Sequence, residues 1–369
     1  MSEPYALLEQ LMRPAGGGLF VVSTGVAEQR VLQQQIYGVD SGDKVDAAWK
    51  VALRALPDAS VVLIGVPSDA GAGFTRGSNR GPAELRRHWL ANAGHAANDA
   101  RVLDLGDVRV VPQLVSEEML SDAQISQSRL ALYGDVGTPL PVSPLGITRL
   151  VLDIVREVAP QAVPIIVGGD HSLGWPAFAS AFDHAETRGG KRVGLLVFDA
   201  HTDLLPERLG VTFCFATWAW HAAKLLGNDG RQVQIGVRAS QFDAAHWERE
   251  CGVRQLRPDE IDGWSAEQTA DVVIAQFRER GVNALYISND IDGTDPAFAA
   301  ATGTPEPNGL HPDFVREVTE RVAAVFPLIG ADLVEVAPPL VGTYENEPEN
   351  TLRVGASYVD QFLRLGMTR

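Results

Sequence analysis

Three short segments carry most of the chemistry in this chain of 369 residues. They are Gly168-Gly169-Asp170-His171-Ser172, Phe198-Asp199-Ala200-His201-Thr202-Asp203 and Ser288-Asn289-Asp290-Ile291-Asp292-Gly293-Thr294-Asp295. Each comes at the end of a β-like run. In extended backbone, residues two apart point to one face, so Asp199, His201 and Asp203 can converge, and Asp290 with Asp292 can do the same. His171 completes a set of two imidazoles and four carboxylates. Crowded carboxylates repel one another and shift their pKa values upward, and two divalent cations would balance their four charges. The donor set suits Mn²⁺ and also admits Ni²⁺, Co²⁺ or Zn²⁺. An isolated D-x-H or D-x-D is an ordinary turn. Three matching motifs, each closing a strand, point to a two-metal centre.

The elements that must position these residues follow from periodicity. Val61–Val66, Val163–Val167, Val193–Phe198 and Ala284–Ser288 read as strands, with Arg101–Leu105, Gln232–Gly236 and Leu328–Val336 as weaker ones. Unbroken apolar runs, rather than alternating ones, indicate strands covered on both faces, as in a parallel sheet. Amphipathic segments at Pro82–Ala93, Ile147–Val158, Ala266–Arg280 and Pro312–Val325 lie between them. The alternation predicts an α/β fold with a central, mainly parallel β-sheet. Residues 1–50 fit it poorly, with a Gly16-Gly17-Gly18 break and two short helical patches, and read as an N-terminal extension to a single domain over 51–369. Glycine- and proline-rich stretches at Ser68–Gly81 and Pro296–Gly309 follow strands, where open α/β sheets bind ligands.

Composition narrows the partners. The 31 Lys and Arg against 47 Asp and Glu leave a net charge of −16, which argues against nucleic acid and anionic membrane surfaces and suits a cationic small molecule. Two cysteines, Cys214 and Cys251, cannot make a disulfide framework. No apolar run approaches the roughly 18–20 residues that span a bilayer, and the first residues lack the pattern of a secretory signal. A cytoplasmic setting is expected.

The motifs resemble those of the ureohydrolases: arginases, agmatinases, guanidinobutyrases and their relatives. GGDHS, FDAHTD and S-x-D-I-D-x-x-D-P are similar to that family's metal motifs, the stretch from Val66 to Pro82 to its early glycine-rich loop, and Asp332-Leu333-Val334-Glu335-Val336-Ala337-Pro338 to its last sheet-edge motif. The resemblance spans roughly residues 60–345. It implies an arginase-like three-layer α/β/α sandwich and two divalent ions per chain. His171, Asp199, Asp203 and Asp290 would hold one or both ions, with His201 and Asp292 completing the second. It further implies an activated water as nucleophile, Asp203 as proton shuttle, Glu335 paired with the guanidinium of a small cationic substrate, and a homo-oligomer (trimer or hexamer).

The chain departs from the family after FDAHTD. Phe215 and Ala216 stand where relatives place a His-Gly pair, and Leu204 and Leu205 replace polar residues. That disfavours arginine as substrate. The aromatics Phe213, Phe215, Trp218 and Trp220 read either as core or as the lining of a pocket for a small, weakly hydrated cation. The pattern is similar to the branch that hydrolyses free guanidine and to metformin-hydrolysing relatives. That branch's association with nickel moves the expected metal from Mn²⁺ toward Ni²⁺. Phe215, Trp218 and Thr304, together with Glu335, are the expected substrate contacts. Free guanidine, giving urea and ammonia, is the leading substrate, with a biguanide, guanidino acid or agmatine-like compound behind it. A non-catalytic scaffold for an active paralogous subunit is the competing reading, and a two-metal phosphoesterase ranks lower because no Lys or Arg cluster accompanies the acids.

Overall fold

A computed structural model describes residues 3–19, 24–39, 42–73, 75–92, 99–342 and 344–368. The strands are β1 (Met12–Arg13), β2 (Val61–Gly65), β3 (Val102–Val108), β4 (Val163–Val167), β5 (Val193–Phe198), β6 (Gln232–Ile235), β7 (Val253–Leu256), β8 (Ala284–Asp290) and β9 (Leu328–Val334). They form one sheet in the order β1-β3-β2-β4-β9-β8-β5-β6-β7. Every neighbouring pair is parallel except β1 with β3.

The uniformly apolar strands serve two cores at once. Val62 and Ile64 of β2 join one hydrophobic cluster while Val61 and Leu63 join the other. In β5, Val193, Leu195 and Val197 face the first, and Leu196 and Phe198 the second. Each such side chain removed from water contributes roughly 1.5–3 kcal/mol.

The helices that cover these faces are α1 (Glu3–Leu11), α2 (Val26–Tyr37), α3 (Gly42–Leu53), α4 (Gly81–Ala91), α5 (Asp122–Tyr133), α6 (Pro144–Val158), α7 (Gly174–Phe182), α8 (Trp218–Leu225), α9 (Ala244–Cys251), α10 (Ala266–Glu279), α11 (Pro312–Ala323) and α12 (Glu349–Gly366). Residues of α1, α3, α6, α7, α8 and α9 fill the first cluster, and those of α4, α10, α11 and α12 fill the second. The result is the three-layer α/β/α sandwich expected from the motifs. Helix α6 begins three residues before its expected start. Ser143 accepts the Gly146 N–H (3.1 Å), and Glu117 in turn accepts the N–H groups of Val142 and Ser143 (2.7 Å each). Among the described residues no helix is long and apolar enough to cross a membrane.

Much of the segment before residue 50 lies against the sheet. Leu8, Leu11, Met12 and Trp49 belong to the first core cluster, and β1 pairs with β3 through Met12 and Val108. A buried ion pair fastens this segment. Arg86 of α4, 1% exposed, donates to both oxygens of Asp104 (2.8 and 2.9 Å) and to Asp107, whose other oxygen accepts the Gly16 N–H at 2.8 Å. Burial pushes the Asp107 carboxyl up from its ordinary range, against the pull of Arg86. Arg86→Ala strands that carboxylate and is expected to cost roughly 3–5 kcal/mol in denaturant unfolding. A loss below about 1 kcal/mol, the range of an exposed pair, would contradict this role.

Candidate metal centre

Four adjacent central strands, β4, β9, β8 and β5, end side by side at the carboxyl edge of the sheet, and each delivers part of one site. Gly168–Ser172 follows β4. Asp170 braces this turn, with Oδ1 accepting the Ser172 N–H (2.8 Å) and Oδ2 the Gly71 N–H (3.0 Å). A Cβ on Gly169 would lie 1.6 Å from the Ser68 carbonyl oxygen, so only glycine permits the two loops to meet.

Convergence of the other acids is not the strand alternation the sequence suggested. β5 ends at Phe198, and Asp199 through Asp203 form a loop in which Asp203 takes a left-handed backbone (φ 50°). Asp290 is the last residue of β8, and Asp292 sits in the tight turn Ile291–Gly293. Side chain to backbone hydrogen bonds lock these loops together. The Asp199 carboxylate accepts the His201 N–H (2.6 Å), Asp292 accepts the Ala200 N–H (3.1 Å), and Asp290 accepts the Asp292 N–H (2.9 Å). Glu335, after β9, is also left-handed (φ 61°) and accepts the His171 N–H at 2.9 Å. Two non-glycine residues held at positive φ in one site mark backbone strain sustained by its surroundings.

The side chains fall into two groups that share Asp199. His171 Nδ1 lies 3.2 Å from Asp199 Oδ2, 3.2 Å from Asp203 Oδ2 and 3.1 Å from Asp290 Oδ2. His201 Nδ1 lies 3.1 Å from Asp292 Oδ2 and 3.6 Å from Asp199 Oδ1. The potential ligand atoms of His171, Asp199 and Asp203 lie within 4.8 Å of one another, and so do those of Asp199, His201 and Asp292. His171 Nδ1 and Asp199 Oδ2 are buried and have no hydrogen-bond partner among the described residues, although they lie 3.2 Å apart. Orphaned polar atoms of this kind are costly unless a cation meets them.

The electrostatics show the same demand for positive charge. Burial by itself would lower both imidazoles, yet Asp199, Asp203 and Asp290 hold His171 well above its usual range. Asp292 and Asp199 similarly push His201 up to about 12. Burial and the charge of Asp199 push Asp203 up to about 6, while burial, Asp292 and Asp199 push Asp290 well above the usual carboxylate range. Burial also raises Glu335, reinforced by Asp170.

The expected substrate contacts separate here. Phe215 is half-buried, with the guanidinium of Arg208 over its ring at 5.0 Å from the centroid. Thr304 donates its hydroxyl to Asp292 Oδ2 (3.0 Å), so that group is committed to the acid cluster. Trp218, expected to line the pocket, is 1% exposed and lies beneath the cluster, because its apolar ring fills the core and its N–H reaches Asp203. Phe213 and Trp220 pack against that same core.

Other residues bear on the site without having been singled out from the sequence. His171 Nε2 meets the Ser288 hydroxyl at 3.0 Å; that hydroxyl donates to Asp332 Oδ1 (2.7 Å), and the Tyr286 hydroxyl donates to Asp332 Oδ2 (2.8 Å). Such a chain fixes the ring's orientation. Arg238 donates to the carbonyls of Asp292 (2.7 Å), Glu306 (2.7 Å) and Pro307 (2.9 Å), tying the loops on that side together. A lone arginine in Gly-Val-Arg-Ala carries no sequence signal for this. Ser288 and Asp332 lie within the motifs quoted above, but only their pairing across β8 and β9 reveals the relay.

Comparisons with known proteins agree with this geometry. Residues 59–364 match the Arginase family. A guanidinobutyrase of Pseudomonas aeruginosa is 31% identical over 82% of this chain and 84% of its own length. The mitochondrial agmatinase of Gallus gallus is 32% identical over 75% of this chain and 73% of its own. Among solved structures, the proclavaminate amidino hydrolase of Streptomyces clavuligerus superimposes with a TM-score of 0.63 at 25% identity, covering 84% of this chain and 93% of that one. The sheet order, the acid cluster at its carboxyl edge and these matches agree: the chain belongs to the arginase family.

Proposed function

We propose that this hydrolase of amidine C–N bonds acts on a small guanidinium compound, with free guanidine, giving urea and ammonia, as its leading substrate. The observation that carries the reading is the buried convergence of His171, Asp199, His201, Asp203, Asp290 and Asp292 beside Glu335. His171, Asp199, Asp203 and Asp290 would hold one divalent ion, and Asp199, His201 and Asp292 the second, as Mn²⁺ or Ni²⁺. When bound, the two ions supply Lewis acidity and acidify a water at the site, so that a nucleophile exists near neutral pH.

The chain's own residues do the rest. Glu335 has one oxygen committed to the His171 N–H, and its other oxygen would pair with a guanidinium N–H and orient the carbon. Asp203 Oδ1, the oxygen not engaged by Trp218 or His171, would take the proton of the attacking water. It passes that proton to the leaving nitrogen as the new C–O bond forms and the C–N bond breaks. Thr304 and the Ser288–Asp332 pair hold Asp292 and His171 in position. The half-buried Phe215 ring and the exposed Leu205, apolar where relatives carry polar residues, favour a substrate without a polar tail.

A second reading, a guanidino acid, is supported by Arg208 over Phe215, a cation placed where a carboxylate tail could meet it. A homo-oligomer in the cytoplasm, with or without a paralogous subunit, accompanies either reading.

A panel of guanidine, 4-guanidinobutyrate, agmatine and metformin, assayed with Mn²⁺- or Ni²⁺-loaded protein, separates the two readings. Guanidine turnover is expected; untouched guanidine beside cleaved guanidinobutyrate selects the second, and Arg208→Ala should then raise KM by about tenfold, the scale of a lost charged contact. Asp199→Ala is expected to retain less than about one ion per chain and to lose turnover, since the ions make the nucleophile. Glu335→Gln should lose turnover while keeping its ions by elemental analysis; loss of the ions would contradict the substrate-binding role. Protons and metal compete for the same imidazole nitrogens, and the carboxylates keep His171 protonated well above its usual pKa. Metal binding should therefore release protons and strengthen as pH rises from 6 to 8, by about tenfold per unit for each proton released, measured by calorimetric titration. Affinity that is flat or falls with pH would contradict the ligand assignment.

A further inference from the structure

We propose that Trp218 is a positioning residue for Asp203: its indole N–H fixes the carboxylate so that Oδ2 faces His171 and Oδ1 stays free for proton transfer. This rests on the amidinohydrolase reading above. Trp218 opens α8 and is buried, and its Nε1 donates to Asp203 Oδ2 at 2.9 Å. The same oxygen lies 3.2 Å from His171 Nδ1. The indole also packs against the His171 ring, with centroids 4.5 Å apart and the planes tilted by 33°. One side chain thus sets the spacing of two members of the cluster.

The surrounding structure is built to hold the indole there. The Asp203 carbonyl accepts the Trp220 N–H (3.2 Å), so Asp203 is tied to α8 by backbone as well as side chain, at a left-handed φ it would not otherwise favour. Thr217, fully buried, accepts the Cys214 N–H (3.0 Å) and donates to the Thr212 carbonyl (2.7 Å), fixing the turn that enters α8. From the other side, a Cβ on Gly174 would lie 2.7 Å from two atoms of the indole, so glycine is what makes room for the ring. An indole N–H is a donor only and carries no charge, so it orients the carboxylate without competing for its proton.

Two variants test the assignment from opposite sides. Trp218→Phe keeps the ring and removes the donor; Gly174→Ala keeps the donor and displaces the ring. Both are measured for Mn²⁺ affinity by calorimetry without substrate, and for kcat and KM on the guanidino compound the wild type turns over, with near-UV circular dichroism reporting the fold. A folded Trp218→Phe is expected to lose about 10–100-fold in kcat and about tenfold in affinity for one of the two ions, with KM within about threefold, the scale of a lost outer partner of a ligand. Gly174→Ala should move kcat and affinity in the same direction. Wild-type kcat and Mn²⁺ affinity in the folded Phe variant overturn the assignment, and so do wild-type values in Gly174→Ala should the Phe variant not fold. A wild-type protein that binds no Mn²⁺ overturns the metal reading together with this one.

Discussion

Mutual repulsion among four buried carboxylates is the constraint on which the rest of the structure depends. Asp199, Asp203, Asp290 and Asp292 are all nearly excluded from water and sit around only two imidazoles. Left to themselves such acids would neutralise by protonation or force the loops apart. Here every loop that carries them is fastened by hydrogen bonds from backbone N–H groups, which hold charge in place without supplying a full positive charge. The imidazoles are dragged upward in pKa by the same field. A site that pulls so strongly on protons also attracts divalent cations, and two of them would satisfy the orphaned His171 and Asp199 atoms.

The sheet explains why this arrangement is stable. Strands apolar on both faces bury two cores, so the positions of their carboxyl ends are fixed by packing far from the charge. The four strands that supply the site are consecutive neighbours, which brings segments more than a hundred residues apart in sequence within hydrogen-bonding distance. Strain at Asp203 and Glu335 is carried by that rigid frame. Arg238 and Thr304 then close the loops over the Asp292 side, and Trp218 supports Asp203 from below.

The strands and the ligand types were legible in the sequence, and the reasons are specific. Runs such as Val193–Phe198 are unbroken because both sides are buried, and the motifs follow them directly. Edge strand β7 leaves little trace in the sequence, because its Val-Arg-Gln-Leu composition reflects an edge, and β1 is only two residues long. Helix α12 is also faint in the sequence: buried Thr351, Gly355 and Gln361 dilute its apolar stripe. At the site the residue identities are visible in the sequence, but strand alternation does not account for their convergence, which loops produce, with Asp203 and Glu335 at positive φ. Sequence leaves Trp218 open between core and pocket and suggests Thr304 as a substrate contact; in the structure their donors are turned toward acids that only tertiary structure brings near. Aromatic spacing reports burial and says nothing about where an N–H points.

The most direct test of the two-cation account is anomalous diffraction from crystals of the wild-type protein soaked in Mn²⁺. Two peaks per chain are expected, one among His171, Asp199, Asp203 and Asp290 and one among Asp199, His201 and Asp292. A single peak, or ions held away from Asp199, would contradict it.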